Sequence, residues 1–470
     1  MLVRSKRLAV GRLFSWLHHL LDLQRQLLLQ FWRKLLDTFE RMPQVFDHHR
    51  PPFPHTRRII VRLIHMQYTA PPSPSPSPPR TIPSHHPQNA TNQLTGEGES
   101  LMPRTQTAAT QVARLEAEPL DLPLLEPFTI STGRMEMARN VLVRVTLADG
   151  TLGLGEAAPF PPSGGETQET ALAAIEGMRP LLEGADAAHW RPLAHRLEAS
   201  FEHQATARAG IESALLDAFT RSTGTPLWHF FGGATSQIET DISIPIVTPG
   251  RVAELAREHA QAGAATLKLK VGADVDDDTD RVLALVEAAP DCDLILDGNQ
   301  GYTPSEALEL LRALAEEDVE PILFEQPVHR HDLEVMRFVT ERAGVPVAAD
   351  ESVQTASDAL RIARMGAANV VNIKLMKAGI VEALDIAAVC RAAHIDLMIG
   401  AMIESRLGIA TSSHFVAGLG GFSYIDLDTA MRLSDDPFSG GYDQTGMTFA
   451  LDYAQPGHGV RVRGGTALEE

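Results

Sequence analysis

The sequence predicts an α/β protein built around a parallel (β/α) barrel, and two observations lead to this fold class. Short apolar runs that end in polar residues recur about every 25 to 30 residues in the second half of the chain. Amphipathic stretches rich in Ala, Leu and Glu separate these runs, such as 305–316 and 381–393. Regular alternation of strand and helix is typical of a parallel barrel, whose active site lies at the carboxyl ends of its strands. The predicted strands are 241–247, 265–271, 294–297, 322–325, 345–350, 370–374, 397–401 and 422–426.

The second predicted strand has two lysines on one face, Lys268 and Lys270, in an otherwise apolar run. Alternate side chains of a strand point the same way, so both ammonium groups face the same surroundings. Lysine is almost never buried without a partner, so the pair predicts nearby anions or a task in proton transfer. An edge strand with one solvated face is the alternative.

Three acidic residues, Asp297, Glu325 and Asp350, end three successive predicted strands. Neighbouring strands of a barrel bring such carboxylates together, and a divalent cation would relieve their mutual repulsion. Oxygen ligands favour a hard ion, so we expect one Mg²⁺ per subunit. Asn299 and Glu351 lie beside these ligands. They are expected to orient the ligands or pair with lysines, although capping of a helix is an equal alternative for each.

The next predicted strand ends in Lys374, which by strand count lies across the barrel from Lys268 and Lys270. Ammonium groups that face each other across a metal suit the removal of a proton from one face of a carbon and its return to the other. Removing a proton α to a carboxylate leaves a dianionic enolate, which needs concentrated positive charge. A lysine base near neutral pH also needs a lowered pKa, which a second lysine and a cation would favour. We expect Lys377 to be a solvated loop residue.

The order Lys-x-Lys, Asp-x-Asn, Glu-Gln-Pro, Ala-Asp-Glu-Ser and Asn-Ile-Lys resembles the muconate lactonizing enzyme subgroup of the enolase superfamily, from about residue 120 to 462. Segments 372–379 and 400–405 are similar to its dipeptide epimerases, in particular those of the L-Ala-D/L-Glu epimerase type. The resemblance implies a modified (β/α)8 TIM barrel, (β/α)7β, under an α+β N-terminal capping domain. It also implies an isomerase that inverts the α-carbon of the C-terminal residue of a dipeptide, with Lys268, Lys270 and Lys374 as catalytic residues.

The resemblance further implies residues that bind substrate. Asp426 and Asp428 correspond to a pair that grips the α-ammonium group, and their spacing of two makes both carboxylates face one way. A helix N-cap or a turn is the alternative for this pair. Ser243 and Ile403 correspond to other pocket positions, or are ordinary strand residues.

The turn-rich segment 124–134 corresponds to the loop that selects the substrate side chain in this family. A gap-free comparison puts Gly133 where an arginine holds the glutamate of L-Ala-L-Glu, with Arg134 one step along. Arg134 is therefore either a specificity residue or a solvated loop residue.

Other functions of the same subgroup remain open at this point: o-succinylbenzoate synthase, N-acylamino acid racemase and muconate cycloisomerase. A barrel that binds a ligand without catalysis is the alternative outside enzymes. The seventh strand and its end, 398–405, contain no histidine, which disfavours acid-sugar dehydratases related to mandelate racemase.

Composition and charge divide the chain of 470 residues further. Residues 1–110 hold 14 Lys and Arg against 6 Asp and Glu, and they include a Pro/Ser-rich linker at 71–79. This extension is either a basic targeting or membrane-surface helix, or not part of the native product, with translation from Met102; the second is favoured because the resemblance begins after it. The predicted units are the extension at 1–110, a capping domain at 111–236, the barrel at 237–440 and a C-terminal segment at 441–470 that packs back on the capping domain.

The overall net charge of −19 argues against nucleic-acid binding. The two cysteines, Cys292 and Cys390, are expected to pack in the core without forming a disulfide. We expect a cytoplasmic enzyme without a membrane partner; a monomer and a homo-oligomer both remain open.

Overall fold

The structure, a computed structural model, describes residues 109–131, 133–161, 165–452 and 455–464. The extension predicted at 1–110 lies outside these residues apart from its last two. No helix in the described part of the chain is long and apolar enough to cross a membrane.

The N-terminal part of the described chain is an antiparallel sheet packed against helices. The sheet has three strands in the order β1-β2-β3: Val112–Ile130, Gly133–Leu147 and Leu152–Ala157. The helices that follow are α1 (Gln168–Leu182), α2 (Trp190–Ser200), α3 (Ala205–Ser222) and α4 (Leu227–Phe230), with a 3₁₀ helix at Ala187–His189 before α2.

Local chemistry explains these elements. A capping box at Thr167 starts α1, because its hydroxyl accepts the Thr170 backbone N–H while the Thr170 hydroxyl accepts the N–H of Thr167. Helix α3 lies so close to β3 that a Cβ at Gly155 would come 2.1 Å from the Gly210 carbonyl oxygen. Any larger residue at position 155 would collide with α3, so glycine is required there for this helix to pack on the sheet.

Eight parallel strands form the barrel sheet in the unbroken order β5 to β12. They are β5 (Ile242–Ile244), β6 (Thr266–Lys270), β7 (Asp293–Asp297), β8 (Leu323–Glu325), β9 (Val347–Ala349), β10 (Val370–Ile373), β11 (Asp396–Gly400) and β12 (Phe422–Asp426). The Asp241 backbone N–H donates to the Ile425 carbonyl oxygen at 2.8 Å, which joins the first strand to the last. Each predicted strand is present within three residues at either end.

Helices connect the barrel strands in seven crossovers. They are α5 (Pro249–Gln261), α6 (Val275–Ala288), α7 (Pro304–Glu316), α8 (Leu333–Thr340), α9 (Ala356–Met365), the pair α10 (Leu375–Ala378) and α11 (Ile380–Ala393), and α12 (Arg406–Leu419). Apolar side chains fill the barrel interior below the charged mouth: Ile295, Leu323, Ala348, Val370 and Met398.

The capping helices reach the loop at the carboxyl end of β10. Glu212 on α3 accepts the backbone N–H groups of Ile380 and Val381 at 2.7 and 2.9 Å, which caps α11. Because Gly379 between α10 and α11 has φ +86°, it permits the turn that brings these groups to Glu212.

The C-terminal residues return to both parts of the fold. Strand β13 (Phe438–Gly440) pairs with β16 (Val460–Val462), and β14 (Asp443–Thr445) and β15 (Thr448–Ala450) join β4 (Gln237–Glu239) in a second small sheet. The Leu227 N–H donates to the Gly457 carbonyl oxygen at 2.8 Å. Both cysteines are free: Cys390 is buried and Cys292 half-buried.

Candidate active site

The charged residues predicted from the sequence meet at the carboxyl ends of the barrel strands. In the sheet register Lys270 lies beside Asp297, and Asp297 lies beside Glu325. A cavity with about 640 Å³ of empty space opens above them. Its lining includes Lys270, Lys374, Asp350, Asp426 and Asp428.

Lys268 is completely buried and lies at the centre of the carboxylates. Its Nζ is 2.6 Å from Glu325 Oε2, 2.6 Å from Asp426 Oδ2 and 3.0 Å from Asp297 Oδ2. Burial by itself would lower the pKa of Lys268, but these carboxylates together hold it well above the usual value. Lys268 therefore stays a fixed positive charge at the bottom of the site.

The other two predicted lysines each pair with a different carboxylate. Lys270 donates to Asp297 Oδ2 at 2.6 Å, and Lys374 Nζ is 2.8 Å from Asp350 Oδ2. Burial alone would lower the pKa of Lys374, but the negative charge of Asp350 raises it above the usual value. The two ammonium groups reach one cavity from β6 and from the end of β10, four strands apart around the barrel.

The prediction that Lys377 is a solvated loop residue is wrong. Lys377 lies in the short helix α10 and is 6% exposed. Its Nζ is 2.5 Å from Asp350 Oδ1 and also donates to the Asn372 carbonyl oxygen at 3.0 Å. The helical turn after β10 directs this side chain back under Asp350, so Lys374 and Lys377 each take one oxygen of the same carboxylate.

Glu325 occupies the middle of the three strand-end carboxylates and is fully buried. Asn372 donates to its Oε1 at 2.6 Å, while its Oε2 has the ion pair with Lys268 but no hydrogen bond. Burial and the negative charge of Asp297 raise the pKa of Glu325 to about 7, despite the nearby Lys268. The buried carboxylates thus repel one another even with lysines among them.

The donor set fits a hard divalent cation by its chemistry. Asp297, Glu325 and Asp350 are all buried carboxylates at successive strand ends, and an added cation would relieve their repulsion. In the present arrangement lysines supply the positive charge instead. Within the described residues no group of three or more His, Cys, Asp or Glu is already arranged to hold a metal ion.

Asn299 and Glu351 lie beside these carboxylates, as expected. The Asn299 backbone N–H donates to Asp297 Oδ1 at 3.0 Å, and its side-chain amide donates to Glu351 Oε1 at 3.4 Å. Burial and the charges of Asp350 and Asp297 raise the pKa of Glu351 to about 7. Asn299 has φ +40°, an uncommon backbone conformation that directs its N–H back to Asp297.

Asp426 and Asp428 line the cavity at the carboxyl end of β12 and are both buried. Asp426 accepts from Lys268, and Ser243 Oγ lies 3.5 Å from its second oxygen. Asp428 Oδ2 accepts the Ser243 N–H at 2.9 Å and the Arg432 guanidinium at 2.7 Å. Asp428 Oδ1 is buried and has no hydrogen-bond partner among the described residues.

Part of the cavity lining is apolar. Ile403, for which the sequence left a pocket position open, is one of these lining residues. Arg134 does not line the cavity: its side chain is 59% exposed and its guanidinium donates to Glu136 at 3.1 Å. The remaining apolar lining residues are Phe128, Ile130, Phe160, Ala401 and Met402.

The position of Arg134 follows from the capping strands. The segment predicted as turn-rich belongs to β1 and β2, which pair as a hairpin with Thr129 opposite Arg134 and an irregularity between Pro123 and Phe128. This pairing puts Arg134 on the solvent side of the hairpin, and the apolar Phe128 and Ile130 face the cavity instead.

Several residues of the site were not predicted from the sequence. Asn372 precedes Lys374 by two positions on β10, so strand periodicity could have identified it as inward-facing. Gln326 stands in the Glu-Gln-Pro motif and Asp241 begins the first predicted strand, but neither was assigned a role, and Arg432 offered no local signal. Gln326 accepts the backbone N–H of Asp350 at 2.9 Å and thereby fixes the start of that loop.

Two family models match the chain. Residues 115–232 match the mandelate racemase / muconate lactonizing enzyme N-terminal domain, and residues 251–466 match the enolase C-terminal domain-like model. The chain belongs to the mandelate racemase/muconate lactonizing enzyme family of the enolase superfamily. The predicted family and the predicted barrel with its N-terminal domain are confirmed.

Similar proteins have been named as epimerases. An aromatic dipeptide epimerase of Herpetosiphon aurantiacus is 48% identical over 355 residues, which are 75% of this chain and 99% of that protein. An L-Ala-D/L-amino acid epimerase of Populus trichocarpa is 44% identical over 359 residues, 75% of this chain and 85% of that protein. The prediction of an isomerase is confirmed by these relatives.

A solved structure provides a third comparison. The crystal structure of the dipeptide epimerase from Enterococcus faecalis, complexed with Mg and the dipeptide L-Leu-L-Tyr, has a TM-score of 0.72 and 34% sequence identity to this chain. It covers 74% of this chain, and the match spans 99% of that one.

Proposed function

We propose that this protein is a Mg²⁺-dependent dipeptide epimerase that inverts the α-carbon of the C-terminal residue. The observation that supports this most directly is the cavity itself, where Lys270 and Lys374 enter from opposite sides and Asp426 and Asp428 form a further wall. Such a cavity suits a substrate with an acidic carbon between a carboxylate and an ammonium group.

Proton transfer falls to the two facing lysines. One removes the α-proton from its face of the substrate, and the other delivers a proton to the opposite face of the resulting enolate. Because they approach from opposite walls, the configuration of the carbon inverts. Lys268 takes no proton in this scheme and instead keeps its positive charge close to the reacting carboxylate.

Asp297, Glu325 and Asp350 are the residues that would hold Mg²⁺, and the cation would supply positive charge to the substrate carboxylate as it becomes an enolate. Asn372 and Asn299 hold two of these carboxylates in place through the hydrogen bonds described above. A cation on Asp350 would also weaken the attraction that raises the pKa of Lys374, which favours its action as a base near neutral pH.

The ammonium end of the substrate would bind Asp426 and Asp428. Asp428 Oδ1 lacks a partner, and a charge-assisted hydrogen bond from an ammonium group would satisfy this buried oxygen. The substrates of o-succinylbenzoate synthase, muconate cycloisomerase and N-acylamino acid racemase offer no cation here. An inactive ligand-binding barrel is disfavoured because both lysines and all three carboxylates are present.

Apolar or aromatic side chains are the preferred substrate side chains in this proposal. The cavity lining includes Phe128, Ile130, Phe160, Met402 and Ile403. The arginine nearest the predicted glutamate-binding position, Arg134, is directed to solvent. A glutamate side chain would therefore lose its hydration without gaining a counter-ion, whereas Phe, Tyr or Leu would bury apolar surface.

A dipeptide library in deuterated water tests this proposal. We expect Mg²⁺-dependent incorporation of deuterium at the α-carbon of the C-terminal residue and formation of the other epimer, fastest for apolar and aromatic residues, by NMR and chiral chromatography. The variant Lys374→Ala controls for contaminating epimerisation, because it should form none of the other epimer from either starting dipeptide. If N-acylated amino acids exchange and free dipeptides do not, the protein is an N-acylamino acid racemase instead.

A further inference from the structure

Asp241 is a buried acid to which the proposed reaction assigns no role. It immediately precedes β5 and is 4% exposed. Neither of its carboxylate oxygens has a hydrogen-bond partner among the described residues. Leaving a charged carboxylate buried without any donor is very costly, so this side chain requires a specific explanation.

The groups that face Asp241 come from two other barrel strands and are mostly acidic. Asp426 and Asp428 approach from the end of β12, and Lys268 approaches from β6. Lys268 has three N–H groups and already has oxygens of three other carboxylates within 3.0 Å. The hydrogen bond of the Lys268 ammonium group goes to Asp426 Oδ2 and not to Asp241, although the charge of Lys268 acts on Asp241.

Two hydrogen bonds fix the backbone around Asp241. The Asp241 N–H donates to the Ile425 carbonyl oxygen at 2.8 Å, and the Thr240 hydroxyl accepts the Leu427 N–H at 2.7 Å. These bonds close the barrel between its first and last strands. They place the backbone of Asp241 beside Ile425, the residue before Asp426.

We propose that Asp241 is a positioning residue that remains protonated and donates its carboxyl hydrogen to Asp426. Asp426 is then held from two sides, by the Asp241 hydroxyl and by the Lys268 ammonium group. Its orientation toward the cavity is thereby fixed before a substrate binds. The consequence for ammonium binding rests on the proposed function, whereas the shared hydrogen between the two carboxyl groups does not.

The electrostatics of the site agree with a neutral Asp241. Burial, followed by the negative charge of Asp426, raises the pKa of Asp241 well above its usual value, and Lys268 only partly opposes this. Burial would also raise the pKa of Asp426, but Lys268 and Lys270 hold it below the usual value. One carboxyl group of the pair keeps the proton and the other keeps the charge, as expected for two acids in contact.

Infrared difference spectroscopy of the full chain tests the protonation directly. We expect wild type minus Asp241→Asn, at pH 7, to contain the carbonyl band of a protonated carboxylic acid. The exposed variant Asp443→Asn is the matched control and should leave this band in place. If Asp241→Asn removes only a carboxylate band and no protonated-acid band, the proposal is overturned.

Kinetics test the positioning role. Asp241→Asn replaces the hydroxyl donor with an amide donor, so kcat/KM for free dipeptides should stay within a few-fold of wild type. Asp241→Ala removes the donor, and kcat/KM for free dipeptides should fall by roughly tenfold or more, with little change for N-acetylated dipeptides. Equal losses in both variants, or equal losses on both substrates, would refute positioning through Asp426.

The two measurements also separate this inference from the proposed function. If no dipeptide is turned over but the protonated-acid band depends on Asp241, the dipeptide proposal fails and the shared hydrogen stands. If dipeptides are epimerised and the band is absent, the dipeptide proposal stands and the shared hydrogen is refuted.

Discussion

Replacing Asp428 by asparagine should weaken the binding of free dipeptides, and the structure defines which contact is lost. Asp428 Oδ2 accepts two donors, the Ser243 N–H and the Arg432 guanidinium. Asparagine can keep these bonds by turning its carbonyl oxygen toward them. Its amide NH₂ group then replaces the unpartnered Oδ1, so a hydrogen-bond donor without negative charge faces the substrate ammonium group.

The magnitude follows from the single contact that is removed. A hydrogen bond between charged groups contributes about 1.5 to 3 kcal/mol. Since each 1.36 kcal/mol is a factor of ten, kcat/KM should fall by roughly one to two powers of ten. Asp426 remains in place and still attracts the ammonium group, so measurable activity should persist.

The assay is kcat/KM for four combinations: wild type and Asp428→Asn, each with a free and an N-acetylated dipeptide. N-acetylation removes the same contact from the substrate side, so the two changes should not add. Asp435→Asn, an exposed change in the same segment, controls for nonspecific effects. If wild type turned over both substrates equally well, the assignment of this wall to ammonium binding would be wrong.

The proton-transfer residues, the metal ligands and one buried acid give the other predictions. Lys270→Ala and Lys374→Ala should each abolish epimerisation yet exchange the α-proton of one epimer only, measured by NMR in deuterated water; near wild-type epimerisation by either variant would contradict the two-base scheme. Chelation should silence the enzyme, Mg²⁺ should restore it, and Glu325→Gln should raise the Mg²⁺ concentration for half-maximal activity; full activity in excess chelator would exclude a metal. Burial and the negative charge of Glu156 raise the pKa of Glu404 from 4.5 to about 8. The protonated form therefore stabilises the fold at low pH, and this contribution disappears as pH rises through about 8. In urea unfolding from pH 5 to 9, the free energy of unfolding of the wild type should therefore fall as pH rises, and Glu404→Gln should remove part of this fall, at most roughly 4 kcal/mol. Identical pH slopes of the unfolding free energy in both proteins would disprove this.

Periodicity in the sequence was sufficient to predict the barrel and most of the charged residues at the carboxyl ends of its strands. Apolar runs followed by amphipathic helices predicted each barrel strand, because strand and helix periods are local properties of the chain. Acidic residues at strand ends then predicted that Asp297, Glu325 and Asp350 converge, since parallel strands put equivalent ends at one edge, and Asp297 and Glu325 are paired in the sheet register. The resemblance to a family added Asp426 and Asp428.

The tertiary structure decided which groups are paired, and for this the sequence had no signal. Lys377 looked like a loop residue because polar residues after a strand usually are, yet one turn of helix returns it to Asp350. For Arg134 the sequence left a specificity role and a solvated position open, and the pairing of β1 with β2 decides for the solvated position. Each outcome depends on contacts between distant segments, which local periodicity does not encode.

By itself, the sequence determined the secondary elements, the strand ends and the residue types needed to remove a proton beside a carboxylate. Barrel closure decided the rest, because it brings Asp241 before the first strand against Asp426 at the end of the last, 185 positions later. The charge of a buried acid depends on such neighbours and on its distance from water. Protonation, ion pairing and the direction of each oxygen are therefore properties of the folded barrel.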